Sequence, residues 1–162
     1  MPRFHTFFTR CWLLVATTMI VSASCNRDKC VTSNCYNGGA CQAGACACAS
    51  GYEGATCSTL SRIKYMGNHI AFSTVDSAIY VSNVQPDPNS ETGLFISNFD
   101  NRITGDVSAF VSDSDDLVIP TQDVQGYTVS GTIHYVASKD LNVSYTISSS
   151  GMTKISVSTI WQ

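Results

Sequence analysis

Cationic residues are scarce in this chain: nine Lys and Arg stand against twelve Asp and Glu, and charged residues of both signs make up only 13% of it. Recognition of phosphate backbones needs a basic stripe, so nucleic acid is not an expected partner. Histidine is scarcer still, and only His69 and His134 lie beyond the first 24 residues. Hydrolytic and transfer chemistry needs an activated nucleophile, a base and an orienting group, whereas both imidazoles sit inside strand patterns. A glycine-rich nucleotide loop, a metal-spaced histidine pair and a nucleophile elbow are all missing. The expectation is a non-enzymatic chain with no catalytic residue, no metal and no cofactor. Long Ala/Leu/Glu/Lys tracts are absent too, and Ser, Thr, Val, Ile, Gly and Tyr dominate the second half, a composition that favours pleated sheet. Cysteine is absent after residue 57, so no disulfide is expected in the last hundred-odd residues.

What is present begins with a leader. Arg3 and Arg10 precede an apolar run of eleven residues, Cys11 to Val21, followed by Ser22, Ala23 and Ser24. This is the layout of a secretory signal peptide over residues 1–24. As a helix the run spans roughly 16 Å, well short of the ~30 Å hydrocarbon core, so a permanent membrane span is not expected. Its removal leaves seven basic against twelve acidic residues, and seven cysteines, an odd number in an oxidising compartment. Ser22-Ala23-Ser24-Cys25 resembles the bacterial lipobox, with Ser22 where Leu is usual. The resemblance implies that Cys25 is diacylated on sulfur and becomes the new N-terminus, giving the chain a membrane as partner through a lipid anchor. Each buried chain methylene adds about 0.8 kcal/mol, so two or three acyl chains would hold it almost permanently.

The remaining six cysteines, Cys30, Cys35, Cys41, Cys46, Cys48 and Cys57, are separated by four, five, four, one and eight residues. A segment this short cannot bury enough apolar surface to offset its ordering entropy, so crosslinks must supply the difference, each about 2–4 kcal/mol. Gly38, Gly39, Gly51 and Gly54 are read as positive-φ turn positions. Six cysteines permit fifteen pairings. The spacing, the Asn37-Gly38-Gly39 turn and the closing Cys46-Ala-Cys48-Ala-Ser-Gly51-Tyr52-Glu-Gly54-Ala-Thr-Cys57 resemble an EGF-like domain, placed at residues 26–58. That resemblance implies Cys30–Cys41, Cys35–Cys46 and Cys48–Cys57. Lys29 stands where the calcium-binding subset carries Glu or Gln, and the four residues between Cys41 and Cys46 include no Asp, Asn or aromatic partner, so a calcium cage is incomplete.

From residue 60 to 162 strand signals recur at short intervals: Ile63 to Phe72, Ala78 to Val84, Gly93 to Phe99, Asp106 to Val111, Leu117 to Ile119, Tyr127 to Val136, Leu141 to Ile147 and Lys154 to Ile160. Turn residues separate them. The predicted fold is mostly β: a small disulfide-rich module followed by an antiparallel meander closed into a barrel or folded as a sandwich. Asp113, Asp115 and Asp116 form an acidic cluster, read as a solvated hairpin loop. The whole resembles surface lipoproteins of the Bacteroidetes type that carry one EGF-like module and an uncharacterised C-terminal β domain. It implies an exported cell-envelope or cell-surface protein with a binding or structural role and a protein or glycan partner. A second expectation is a lipocalin-like binder of a small apolar ligand, with Phe72, Phe95, Tyr127 and Tyr145 lining its cavity. A third is a secreted eukaryotic adhesion or receptor-ligand protein, which a glycan on Asn142 of Asn142-Val-Ser144 would favour.

Overall fold

The computed structural model describes residue 30 and residues 34–73, 77–136 and 140–162. The leader and Cys25 lie outside the described residues. Three bridges hold the N-terminal module: Cys30–Cys41, Cys35–Cys46 and Cys48–Cys57, with Cα separations of 5.7, 5.6 and 5.2 Å. Strand β1 (Ala40–Gln42) pairs with β2 (Ala45–Ala47), and β3 (Tyr52–Glu53) with β4 (Thr59–Leu60). Gly38, Gly51 and Gly54 adopt positive φ, but Gly39 does not. Its requirement is space: a Cβ there would lie 2.7 Å from Cys57 Sγ and 3.1 Å from the Tyr36 carbonyl oxygen. A side chain at this position would collide with the Cys48–Cys57 bridge.

The rest of the chain is one antiparallel meander of eight strands, each paired with its sequence neighbour. They are β5 (Gly67–Phe72), β6 (Ile79–Pro86), β7 (Gly93–Ser97), β8 (Val107–Val111), β9 (Asp116–Val124), β10 (Tyr127–Tyr135), β11 (Leu141–Ser149) and β12 (Met152–Trp161). The sheet curls until its two edges nearly meet. Ile70 and Gln162 exchange backbone hydrogen bonds of 2.8 and 3.0 Å, and Thr159 Oγ1 donates to the Phe72 carbonyl at 3.1 Å. The fold is therefore an almost closed barrel, whose alternate residues fill one interior.

That interior is packed with side chains. Phe99 meets Tyr145 edge-on at 4.7 Å between ring centroids and Trp161 at 5.9 Å, among Leu94, Ile96, Ile119 and Ile133. The β7–β8 connection folds into it: Asn98, Asp100 and Asn101 take positive φ, and Phe99 bridges Ile103. Fully buried Asp100 pairs with Arg102 and accepts the Tyr145 hydroxyl. Burial, with Asp100 nearby, pushes the Tyr80 hydroxyl up to about 12. Burial and the bond to Asp100 hold the Tyr145 hydroxyl still further above its ordinary value.

Three expectations need correction. Residues 61–65 form a 3-10 turn and the first barrel strand starts only at Gly67: Ile63, which alternation would bury together with Ser61 and Tyr65, is exposed. The strand read as Leu117 to Ile119 continues to Val124 through Pro120, which sits at a register shift where two residues of β9 face one of β10. A bulge leaves no ladder donor for proline to remove. The four residues read as a ligand cavity also do not share an interior. Phe72 opposes Ile79 in the β5–β6 ladder and both point outward, Phe95 is half-buried outside the core cluster, and only Tyr145, with half-buried Tyr127 packed against that cluster, belongs to the interior.

Candidate functional site

A cleft of about 470 Å³ opens where the disulfide module rests on the barrel, between residues 48–54 and residues 112–114 of the β8–β9 turn. The 3-10 turn connects the module to the barrel. Five residues in that conformation bury Ser61 and Tyr65 and send Arg62 and Lys64 to opposite neighbours. Arg62 Nη1 donates to the carbonyl oxygens of Asp87, Ser90 and Gly93, gathering the β6–β7 loop around one guanidinium. The same loop touches the module, since a Cβ on Gly51 would lie 2.6 Å from Thr92 Cγ2.

Lys64 is the centre of the junction. Its Nζ donates to Glu53 Oε2 of the module and to Asp115 Oδ1 of the barrel, both at 2.7 Å. The ammonium also lies 5.0 Å from the centroid of Tyr135 and 5.9 Å from that of Tyr65, rings that meet edge-on at 6.2 Å. Such contacts favour a cation held partly away from water. Burial pulls the Lys64 pKa down, yet the bonds to Asp115 and Glu53 outweigh it and the net shift is upward. The Lys64 bond holds the Asp115 carboxyl below its usual range. Tyr52 is raised chiefly by its hydrogen bond to Glu91, a further link between module and barrel loop. Burial raises Tyr65, and the neighbouring carboxylates add to it.

The acidic cluster is divided among three partners. Asp115 serves Lys64, Asp116 Oδ1 meets His134 Nδ1 at 2.7 Å across the β9–β10 ladder, and Asp113 Oδ1 accepts the Ser114 amide. Among the described residues no three His, Cys, Asp or Glu converge as metal ligands. His134 lies on the outer surface, whereas His69 is buried with Nε2 2.9 Å from the Tyr65 carbonyl oxygen. Two strands separate the two histidine environments from any shared site: His69 belongs to β5 and His134 to β10. The six bridged cysteines belong to the module, and Cys48 alone of them lines the cleft.

The sequence reading passed over Arg62 and Lys64 because it placed Ile63 onward on a strand. The signal that could have found them is scarcity: in a chain with nine basic residues, two within three positions, between the last cysteine and the first strand, mark a junction. Asp100 was visible only as part of a turn. Comparisons with family models, with curated proteins and with solved structures find no match to this chain.

Proposed function

We propose that the chain is an exported, acyl-anchored surface protein in which Cys25 carries the lipid, an EGF-like disulfide module acts as a rigid spacer, and the barrel is the part presented to a protein or glycan partner. Its role on this reading is binding or envelope structure, without catalysis. Three disulfides indicate an oxidising compartment, in keeping with export. The observation that carries the spacer role is the Lys64 junction, which ties Glu53 of the module to Asp115 of the barrel and leaves little freedom between them. A flexible tether would need none of these contacts.

The packed interior speaks for a surface-binding barrel over a lipocalin-like container. Trp161, Phe99 and Tyr145 occupy the space that a small apolar ligand would need. The anchor is tested by fractionating cells that express the chain and its Cys25→Ser variant. The wild type is expected in the membrane fraction with acyl mass on its N-terminal peptide, and the variant in the soluble one. A wild-type N-terminal peptide without acyl mass sinks the anchored reading.

A further inference from the structure

The outer surface at the barrel seam is apolar, whereas that of β10 and β11 is hydroxyl-rich. Phe72 stands opposite Ile79 and Ile70 opposite Val81 in the β5–β6 ladder. Because Ile70 and Gln162 exchange both backbone bonds, they are directly opposed, and antiparallel counting sets Ile160 across from Phe72. Three adjacent strands therefore carry five large apolar side chains on one face. Ile79 is 74% exposed and the others about half exposed. On the outer face of β10 to β12 the corresponding positions are Ser130, Thr132, Ser144, Thr146, Ser156 and Ser158.

We propose that this face is the interface of a two-fold homodimer, two seams packed back to back. The five side chains expose on the order of 500 Å² together, near the top of the ~300–600 Å² found for the largest patch on a monomer. With its polar rim the face approaches the ~800 Å² per partner of a standard interface, so association at micromolar concentration is expected. Among the described residues flanking the patch, Asn83 Nδ2 donates to Asn68 Oδ1 at 2.6 Å on one side, and Gln162 and Ser158 lie on the other, all uncharged. Five apolar side chains with uncharged described flanks can meet their own copy under a two-fold axis without like-charge repulsion between them. A lipid surface would instead be matched by Lys or Arg around the apolar residues. The inference does not depend on the anchor or on the spacer role.

The test is sedimentation equilibrium on the mature full chain and on the same chain carrying Cys25→Ser, at protein concentrations from ~1 to ~200 μM, a span that brackets a weak interface. A shift from monomer to dimer mass is expected in both. Ile79→Lys or Val81→Lys should abolish it with the near-ultraviolet circular dichroism unchanged. Ile63→Lys, an equally exposed apolar position on the 3-10 turn, should leave it intact. A chain that stays monomeric throughout overturns the proposal, and flotation of that monomer with phosphatidylcholine vesicles would name lipid as the occupant instead. A dimer that survives both seam substitutions overturns it as well, by placing the interface elsewhere.

Discussion

His69 sits inside the barrel with its Nε2–H donating to the Tyr65 carbonyl at 2.9 Å and its ring 6.1 Å from that of Trp161. Burial lowers its pKa, and the backbone bond only partly opposes the shift. The unfolded chain, where histidine has its ordinary value of ~6.5, then binds the proton more readily than the folded one. The stability linked to His69 is therefore complete above that ordinary value and is lost as pH falls through it toward the lowered folded value. We predict a melting temperature that declines from pH 7.5 to 5. His69→Gln, whose amide can still donate to Tyr65, should remove most of that slope. Differential scanning calorimetry across the pH range decides this, and an unaltered slope in His69→Gln would refute the assignment. At the same scale, Tyr65 shows that one residue can serve two regions: its carbonyl holds His69 in the barrel and its ring lies beneath Lys64 at the junction.

Strand β10 depends on a small residue at one position. A Cβ on Gly131 would lie 2.5 Å from the Ser144 carbonyl oxygen and 2.7 Å from Tyr145 Cβ, contacts that backbone on both strands would have to relieve. Gly131→Ala should cost about 1–3 kcal/mol through overpacking, read as a lower urea midpoint at unchanged slope. An unchanged midpoint would mean that β10 and β11 part without penalty. The alternation of Leu141, Val143, Tyr145 and Ile147 against Asn142, Ser144 and Thr146 announced β11 in the sequence, since burial on one face imposes a period of two. Strand signals found part of each of the eight barrel strands, but they began β5 too early, at Ile63, and ended β9 too soon, at Ile119. They could not foresee how strands are completed where the ladder lapses. Gln122 donates to and accepts from the Ser108 backbone at 2.7 and 2.9 Å, and Gln125 Oε1 accepts the Thr104 and Gly105 amides. Side-chain amides there stand in for strand backbone, a substitution that leaves no periodic trace. Closure was equally hidden, because the bonds between Ile70 and Gln162 join residues 92 positions apart.

Module and barrel are stabilised by different physics yet share one junction. The module relies on three crosslinks, worth about 2–4 kcal/mol each, while the barrel buries a continuous apolar core and none of its described residues is bridged. The cysteine spacing made the first legible in the sequence and the strand pattern made the second. Their junction was not, because Glu53, Lys64 and Asp115 become neighbours only after both parts have folded. The ion pairs define where that coupling holds. Asp115, whose pKa is lowered, contributes stability that is complete above the ordinary carboxylate range and is lost as pH falls through its folded value. Lys64, whose pKa is raised, contributes stability that is complete below the ordinary ammonium value and is lost as pH rises through its folded one. The clamp is thus constant across neutral pH and weakens at both extremes. We predict that Lys64→Met, which keeps the apolar stem over Tyr135 but removes the charge, uncouples the two parts without unfolding either. Calorimetry at neutral pH should show one endotherm for the wild type and a broadened or divided one for the variant, with all three disulfides still formed by peptide mapping. Mild reduction should then melt the module of the variant while the strand signal of the barrel persists. A single sharp endotherm in Lys64→Met would mean that Arg62 and the Thr92 contact hold the junction without the ion pairs.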